Sequence, residues 1–138
     1  MTPEEMEAIH ARAMTVPSPW SVETILEFVA GPGGFVVANE KGFALGRVII
    51  DEAELLTLAV DPDAQRKGIG GWCLHAFESE AGRRGARRAF LEVAATNQAA
   101  RTLYAKAGWR EDGVRRGYYH AKPAPIDAIT MSKALQSG

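Results

Sequence analysis

The residues best equipped for chemistry begin at Gln65-Arg66-Lys67-Gly68-Ile69-Gly70-Gly71, directly after the apolar run Leu55 to Val60 and the turn Asp61-Pro62-Asp63-Ala64. A short apolar run with Thr and Val, closed by a turn signal, predicts a buried strand. Pro62 sets its own φ and biases Asp61 away from helix. Gly68 and Gly70 let the backbone approach whatever lies in front of the loop, and the residues after them open a helix whose first amides lack internal partners. Free amides, a positive helix end and the flanking cations Arg66 and Lys67 make an anion site suited to phosphate. Further on, Glu92 is the single charged residue in Ala89 to Ala95, between Phe90, Leu91 and Val93. A carboxylate in apolar surroundings has its charged form disfavoured, and a pKa raised toward the working pH suits a general base. A carboxylate alternating outward on a half-exposed strand would instead be idle.

These residues depend on the elements that hold them. Thr2-Pro3-Glu4-Glu5 predicts a capped helix to about Met14, and Val16-Pro17-Ser18-Pro19 a loop. Ser21 caps a second helix with Ile25, Leu26, Phe28 and Val29 as its apolar face, stopped by Gly31-Pro32-Gly33-Gly34. Phe35 to Ala38 and Phe43 to Ile50 read as a hairpin, and Ala53 to Val60 returns after a turn at Asp51-Glu52, giving an antiparallel meander. Asp51, Glu52 and Glu54 read as a solvated acidic turn, with reception of a cationic substrate end as the functional alternative. The helix after the glycine loop carries Ile69, Trp72, Cys73, Ala76, Phe77 and Ala81 as one buried stripe, and Gly82 and Gly85 end it. His75 falls off that stripe and reads as solvated. Arg83, Arg84, Arg87 and Arg88 suit the negative helix end, with a second phosphate contact as the weaker alternative. Asn97 caps a helix through Ala107, with Gly108 as its C′ residue and Tyr104 on its apolar face, where it could be a core residue with a wet hydroxyl. Trp109 to Arg115 and Ile126 to Met131 are the remaining strands.

The whole chain excludes several function classes. Its 138 residues suit one domain, 1–138, and 46% hydrophobic with 24% charged residues is the balance of a soluble globule. Sixteen basic against seventeen acidic residues, net charge -1, give no general attraction to nucleic acid or anionic membrane. The single Cys73, read as buried, excludes an internal disulfide, and three scattered histidines give no metal constellation. Without a signal segment or an apolar run approaching membrane-spanning length, the expected location is cytoplasmic.

The loop spacing excludes a Walker motif, since Lys67 precedes the first glycine, and a dinucleotide fingerprint, since Cys73 stands at the third glycine position. Gln-x-x-Gly-x-Gly after Ala-Val-Asp-Pro resembles the acetyl-CoA pyrophosphate loop of the GNAT N-acetyltransferases. The Leu-Glu-Val strand, the Asn cap and the Ala-x-x-Leu-Tyr-x-x-x-Gly-Trp helix end resemble the last catalytic segment of the same superfamily. Arg-Arg-x-Tyr-Tyr followed by Asp-Ala-x-x-Met, with Pro19-Trp20-Ser21 and Asp51-Glu52-Ala53, is similar to the RimI-type ribosomal-protein alanine N-acetyltransferases.

That resemblance implies a mixed, mostly antiparallel sheet of about six to seven strands flanked by about four helices, with pantetheine lying between splayed central strands. It implies acetyl-CoA as co-substrate and a polypeptide N-terminus, such as that of a ribosomal protein, as acceptor. Glu92 would be the general base through water and Tyr104 the general acid to the CoA thiolate. Leu58, Ala59 and Val60 would lend backbone groups to the cofactor; Arg66, Lys67, Gly68, Ile69, Gly70 and Gly71 would hold its pyrophosphate, and Asn97 would contact it near the reacting end. Gly71 departs from a commonly basic position, His120 from Pro and Ile126 from an acidic residue. The same core would serve a small-amine or lysine acetyltransferase, or a non-catalytic CoA-sensing module.

Overall fold

A computed structural model describes residues 1–13, 19–65, 67–121 and 123–135. Helix α1 (Pro3–Ala13) starts on a reciprocal cap: the Thr2 hydroxyl accepts from Glu5 N–H and the Glu5 carboxylate from Thr2 N–H, both at 3.1 Å. Met14 and residues 16–18 of the expected loop lie outside the described residues. Helix α2 (Val22–Ala30) is capped by Ser21, whose side chain accepts from Thr24 N–H at 3.2 Å. Its apolar face is narrower than predicted. Ile25 is fully buried, but Leu26, one step of about 100° round the helix, turns to solvent and is 48% exposed.

Strands β1 (Gly34–Ala38), β2 (Gly42–Ile49) and β3 (Glu52–Val60) form the predicted antiparallel meander. The β2–β3 turn is displaced from Asp51-Glu52: Ile49 pairs with Glu52, leaving Ile50-Asp51 as a two-residue turn with Ile50 at φ 60° and 90% exposed. A β-branched residue rarely adopts that conformation, so composition gave no signal for it. Helix α3 (Ile69–Arg83) crosses over to β4 (Arg88–Ala94), which runs parallel to β3. Gly82 lies buried inside α3 rather than ending it, and the chain leaves the helix through Gly85 at φ +96°. The buried stripe runs through Cys73, Leu74, Phe77 and Ala81; Trp72 lies on its flank and is 46% exposed, against expectation. His75 is exposed, as predicted.

Helix α4 (Gln98–Lys106) leads to β5 (Arg110–Tyr119), which ends four residues later than expected, and to β6 (Ile126–Ala134). The sheet order is β1-β2-β3-β4-β6-β5, with β6 antiparallel to both neighbours. One face packs α3 and α4 against Leu55, Leu91, Val93, Ile129 and Met131; the other packs α1 and α2 against Phe43, Leu45 and Ala59.

The α1–α2 side contains a buried histidine that sequence reading did not single out. His10 is completely buried, accepting from Trp20 N–H through Nδ1 at 3.0 Å and bonded through Nε2 to the Thr57 hydroxyl at 2.9 Å. Because Trp20 N–H can only donate, Nδ1 is unprotonated and Nε2–H donates to Thr57. Burial lowers the ring pKa to about 4. The unfolded chain therefore binds a proton near pH 6.5 that the folded chain refuses until about 4. The resulting stability is fully present above 6.5 and is lost as pH falls toward 4, on the order of 3 kcal/mol in all. Thermal unfolding between pH 7.5 and 4.5 is expected to show this slope, flattened in His10→Gln; an equally steep slope in the variant would exclude His10 as its source.

Candidate active site

The sheet opens at its centre. β3 and β4 are paired only at Glu52–Arg88, Ala53–Ala89 and Glu54–Phe90, and the pairing stops there. Beyond that point β3 is held only by β2, through the Ala59–Phe43 and Val60–Gly42 pairs, and β4 only by β6. The edge of β3 that carries Leu58, Ala59 and Val60 thus faces a gap with backbone groups available to an extended ligand. At the mouth of the gap, Asp61 caps the 3-10 turn Pro62–Ala64, its carboxylate accepting from Asp63 N–H at 3.0 Å. Gly68 follows at φ +79° as the N-cap of α3, with no side chain covering the first amides of the helix. Lys67, Ile69, Gly70 and Gly71 sit at or beside this free helix end; Arg66 lies outside the described residues. A Cβ at Gly71 would meet nothing within 4 Å, so the cradle is open on that side. Exposed amides on a positive helix end beside a free strand edge fit a pyrophosphate joined to a pantetheine-like chain.

On the far side of the gap, Arg101 fixes α4, donating to the Ala95 carbonyl at 2.9 Å and to Glu111 at 2.7 Å. The other end of α4 is tied by Lys133, which donates to the Ala107 carbonyl and to Glu78, both at 2.6 Å. Asn97 caps this helix as expected, its side-chain oxygen accepting from Ala100 N–H at 3.1 Å. Tyr104 is buried, 7% exposed, with its ring centroid 6.1 Å from that of Trp109. Burial pushes its hydroxyl well above the usual phenol range, and the neighbouring Tyr119 phenol adds to the effect.

Glu92 lies in a different setting from the apolar one its neighbours in sequence suggest. The apolar neighbours Leu91 and Val93 point to the α3–α4 face, so strand alternation turns Glu92 to the opposite one. There the carboxylate is exposed and paired with Arg115 at 2.9 Å, lining a cleft of about 350 Å³ with Glu54, Phe90, Asp112 and Thr130. The Arg115 guanidinium also lies 4.0 Å from the Tyr118 ring centroid. Glu92 and Tyr104 thus lie on opposite faces of the sheet.

Tyr119 pairs with Ile126, the first residue of β6. Half-buried at the end of β5, its hydroxyl is raised to about 12, by burial first and then by the negative charge of Glu92. Its cross-strand partner Ile126 precedes Asp127, whose main-chain carbonyl accepts from Ala95 N–H just past β4. Sequence reading noted the Arg-Arg-x-Tyr-Tyr run but could not place Tyr119, because irregularities in β5 break the two-residue alternation. Among the described residues no helix is long and apolar enough to cross a membrane, and no group of three or more His, Cys, Asp or Glu gathers to hold a metal.

Comparison with known proteins agrees with this geometry. The acetyltransferase (GNAT) family model matches residues 4–109. The [ribosomal protein bS18]-alanine N-acetyltransferase of Escherichia coli K12 is 37% identical, over 91% of this chain and 87% of the relative. The enzyme of the same description from Salmonella typhimurium is 43% identical over 83% and 80%. The crystal structure of the ribosomal-protein-S18-alanine N-acetyltransferase from Escherichia coli superposes with a TM-score of 0.85 at 34% identity, covering 99% of this chain and 89% of that one. The splayed sheet, the bare helix end beyond it and these relatives agree: the chain belongs to the acetyltransferase (GNAT) family and is an N-acetyltransferase most similar to the RimI type.

Proposed function

We propose that this protein transfers the acetyl group of acetyl-CoA to the α-amine of a polypeptide N-terminus, with an N-terminal alanine of a ribosomal protein as the type of acceptor, in the cytoplasm. The observation that carries the reading is the gap between β3 and β4, whose pairing stops at Glu54–Phe90, with the bare N-terminus of α3 at its mouth. The similarity to enzymes described as acetylating the alanine of ribosomal protein bS18 supports the choice of acceptor.

In this reading Leu58, Ala59 and Val60 hold the pantetheine chain through their backbone. Arg66, Lys67, Gly68, Ile69, Gly70 and Gly71 hold the pyrophosphate, and Asn97 steadies the reacting end. Glu92 takes a proton from the acceptor ammonium through water, and the freed amine attacks the thioester carbonyl. Tyr104 donates a hydrogen bond to the sulfur as the C–S bond breaks, and the second proton of the attacking nitrogen passes through water to the departing thiolate. Arg115 must first leave Glu92, and an exposed ion pair of this kind is worth at most about 1 kcal/mol. An α-amine with a pKa near 8 needs only modest help at neutral pH, so positioning supplies much of the rate. Glu92→Gln is accordingly expected to move the rising limb of the pH–rate profile upward, since the ammonium must then lose its proton to solvent. An unmoved limb would leave Glu92 as a structural partner of Arg115.

The acceptor is tested by mass spectrometry of acetyl transfer to peptides with varied first residues, offered beside free amines. Transfer confined to peptide α-amines, with preference for alanine or another small residue, is the expected result. Transfer only to free amines or lysine would keep the donor and overturn the acceptor. Binding of CoA without any transfer would favour a sensing module.

A further inference from the structure

The irregularity of β5 has a specific cause. Arg115 pairs with Ala128 on β6, and the next pair is Tyr119 with Ile126, so four steps along β5 span two steps along β6. The two surplus residues are taken up where Gly117 adopts φ +60°. Asp127 lies opposite this bulge, and its carboxylate accepts from Gly117 N–H at 2.7 Å. The main-chain carbonyl of the same residue accepts from Ala95 N–H at 2.8 Å, just past the end of β4. Asp127 therefore ties the bulge of β5 to the point where β4 turns toward Asn97 and α4. Within the bulge, Tyr118 and Tyr119 pack edge to face with centroids 5.1 Å apart, and Arg115 rests on Tyr118.

A strand in regular register would have carried Tyr119 two residues beyond the start of β6, away from the end of the gap. A bulge needs a partner for the amide it strands, and an ionised carboxylate is a strong acceptor for it. We propose that Asp127 is a positioning residue: by accepting from Gly117 N–H while its main chain holds Ala95, it fixes the β5 bulge that sets Tyr119 opposite Ile126, beside the end of β4, and so acts on acceptor use through Tyr119. The proposal deepens the reading of the site given above and rests on it for the identity of the acceptor.

The test begins with the unmodified protein. The Gly117 amide lies on an exposed segment, yet it is expected to exchange with deuterium at least about tenfold more slowly than an unbonded amide there. Exchange at the unprotected rate would overturn the proposal without any variant. Steady-state kinetics then compare Asp127→Asn, Asp127→Ala, Tyr119→Phe and the Asp127→Ala/Tyr119→Phe double variant. The amide oxygen of Asn still accepts, so Asp127→Asn should keep acceptor kcat/KM within about threefold. Asp127→Ala should lower it roughly 10- to 100-fold with KM for acetyl-CoA unchanged, as expected when a group beside the reacting atoms is displaced. The double variant should be no worse than the poorer single variant, because both changes affect one hydroxyl. Additive losses, equal damage to both substrates' KM, or failure of Asp127→Asn to rescue would each overturn it. Should Asp127→Ala not fold, Gly117→Ala, which disfavours the left-handed turn, takes its place with the same expected kinetics. Amide protection does not depend on what Glu92 and Tyr104 do, whereas their own variants test that reading alone, so the two can fail separately.

Discussion

Tyr104→Phe is expected to lower turnover roughly 10- to 100-fold at saturating substrates, with KM for acetyl-CoA and the thermal midpoint almost unchanged. The ring packs beside Trp109 within the core on the α3–α4 face, and Phe fills the same volume, so only the hydroxyl is lost. What the hydroxyl contributes follows from its environment. Burial holds it protonated far above neutral pH, and a phenol harder to ionise than a thiol, ordinarily near 8.5, does not surrender its proton fully to a departing thiolate. It contributes a hydrogen bond to the charge developing on sulfur, worth about 1.5–3 kcal/mol for a charged acceptor, which corresponds to the stated loss. The same argument predicts no fall in the wild-type rate from ionisation of Tyr104 up to about pH 10, the ordinary phenol value. Unchanged turnover in the variant would remove Tyr104 from the mechanism; a raised KM for acetyl-CoA instead would make it a binding residue.

The parts of this molecule that sequence made legible are those governed by local rules. The meander, the crossover helix α3 and the Asn97 cap follow from periodicity, turn chemistry and capping, all short-range effects. The glycine loop was legible for the same reason, since strand, turn and helix start are contiguous in the chain. The setting of Glu92 was not, because its decisive neighbour Arg115 comes from a strand 23 residues later. Its adjacent apolar neighbours Leu91 and Val93 belong to the other face of the sheet. Tyr119 was missed for a related reason: a bulge of two residues erases the alternation by which a strand assigns its side chains to faces. Trp72 and Leu26 show a third limit, since a helical stripe fixes which residues can face the core but the packed partner decides how wide the stripe is. The chemistry of the site thus follows from motifs, and its geometry from contacts between distant segments.

Gly70→Val is expected to weaken CoA binding about a hundredfold, while Gly71→Ala changes it less than about twofold. The two glycines are neighbours in the first turn of α3, so propensity and helix dipole treat them nearly alike. Their surroundings differ. A Cβ at Gly70 would lie 3.2 Å from the Leu103 Cδ2 of α4 and 3.8 Å from the Val60 Cγ2 of β3, at the crossing of the gap, whereas a Cβ at Gly71 meets nothing within 4 Å. The branched side chain of Val at position 70 has to push Leu103 aside or project into the space in front of the α3 amides. Either way it separates an anion from donors worth about 1.5–3 kcal/mol each to a charged partner, and losing the equivalent of one to two such bonds is about a hundredfold in Kd. Stability should change little, because a good part of any strain can be relieved by rotation of the half-buried Leu103 side chain. Calorimetric titration of both variants with CoA, beside their thermal midpoints, separates the outcomes. Equal weakening by the two substitutions would mean that the pyrophosphate does not approach the helix end past Gly70, and the cradle would have to be sought along the Lys67 side of the loop.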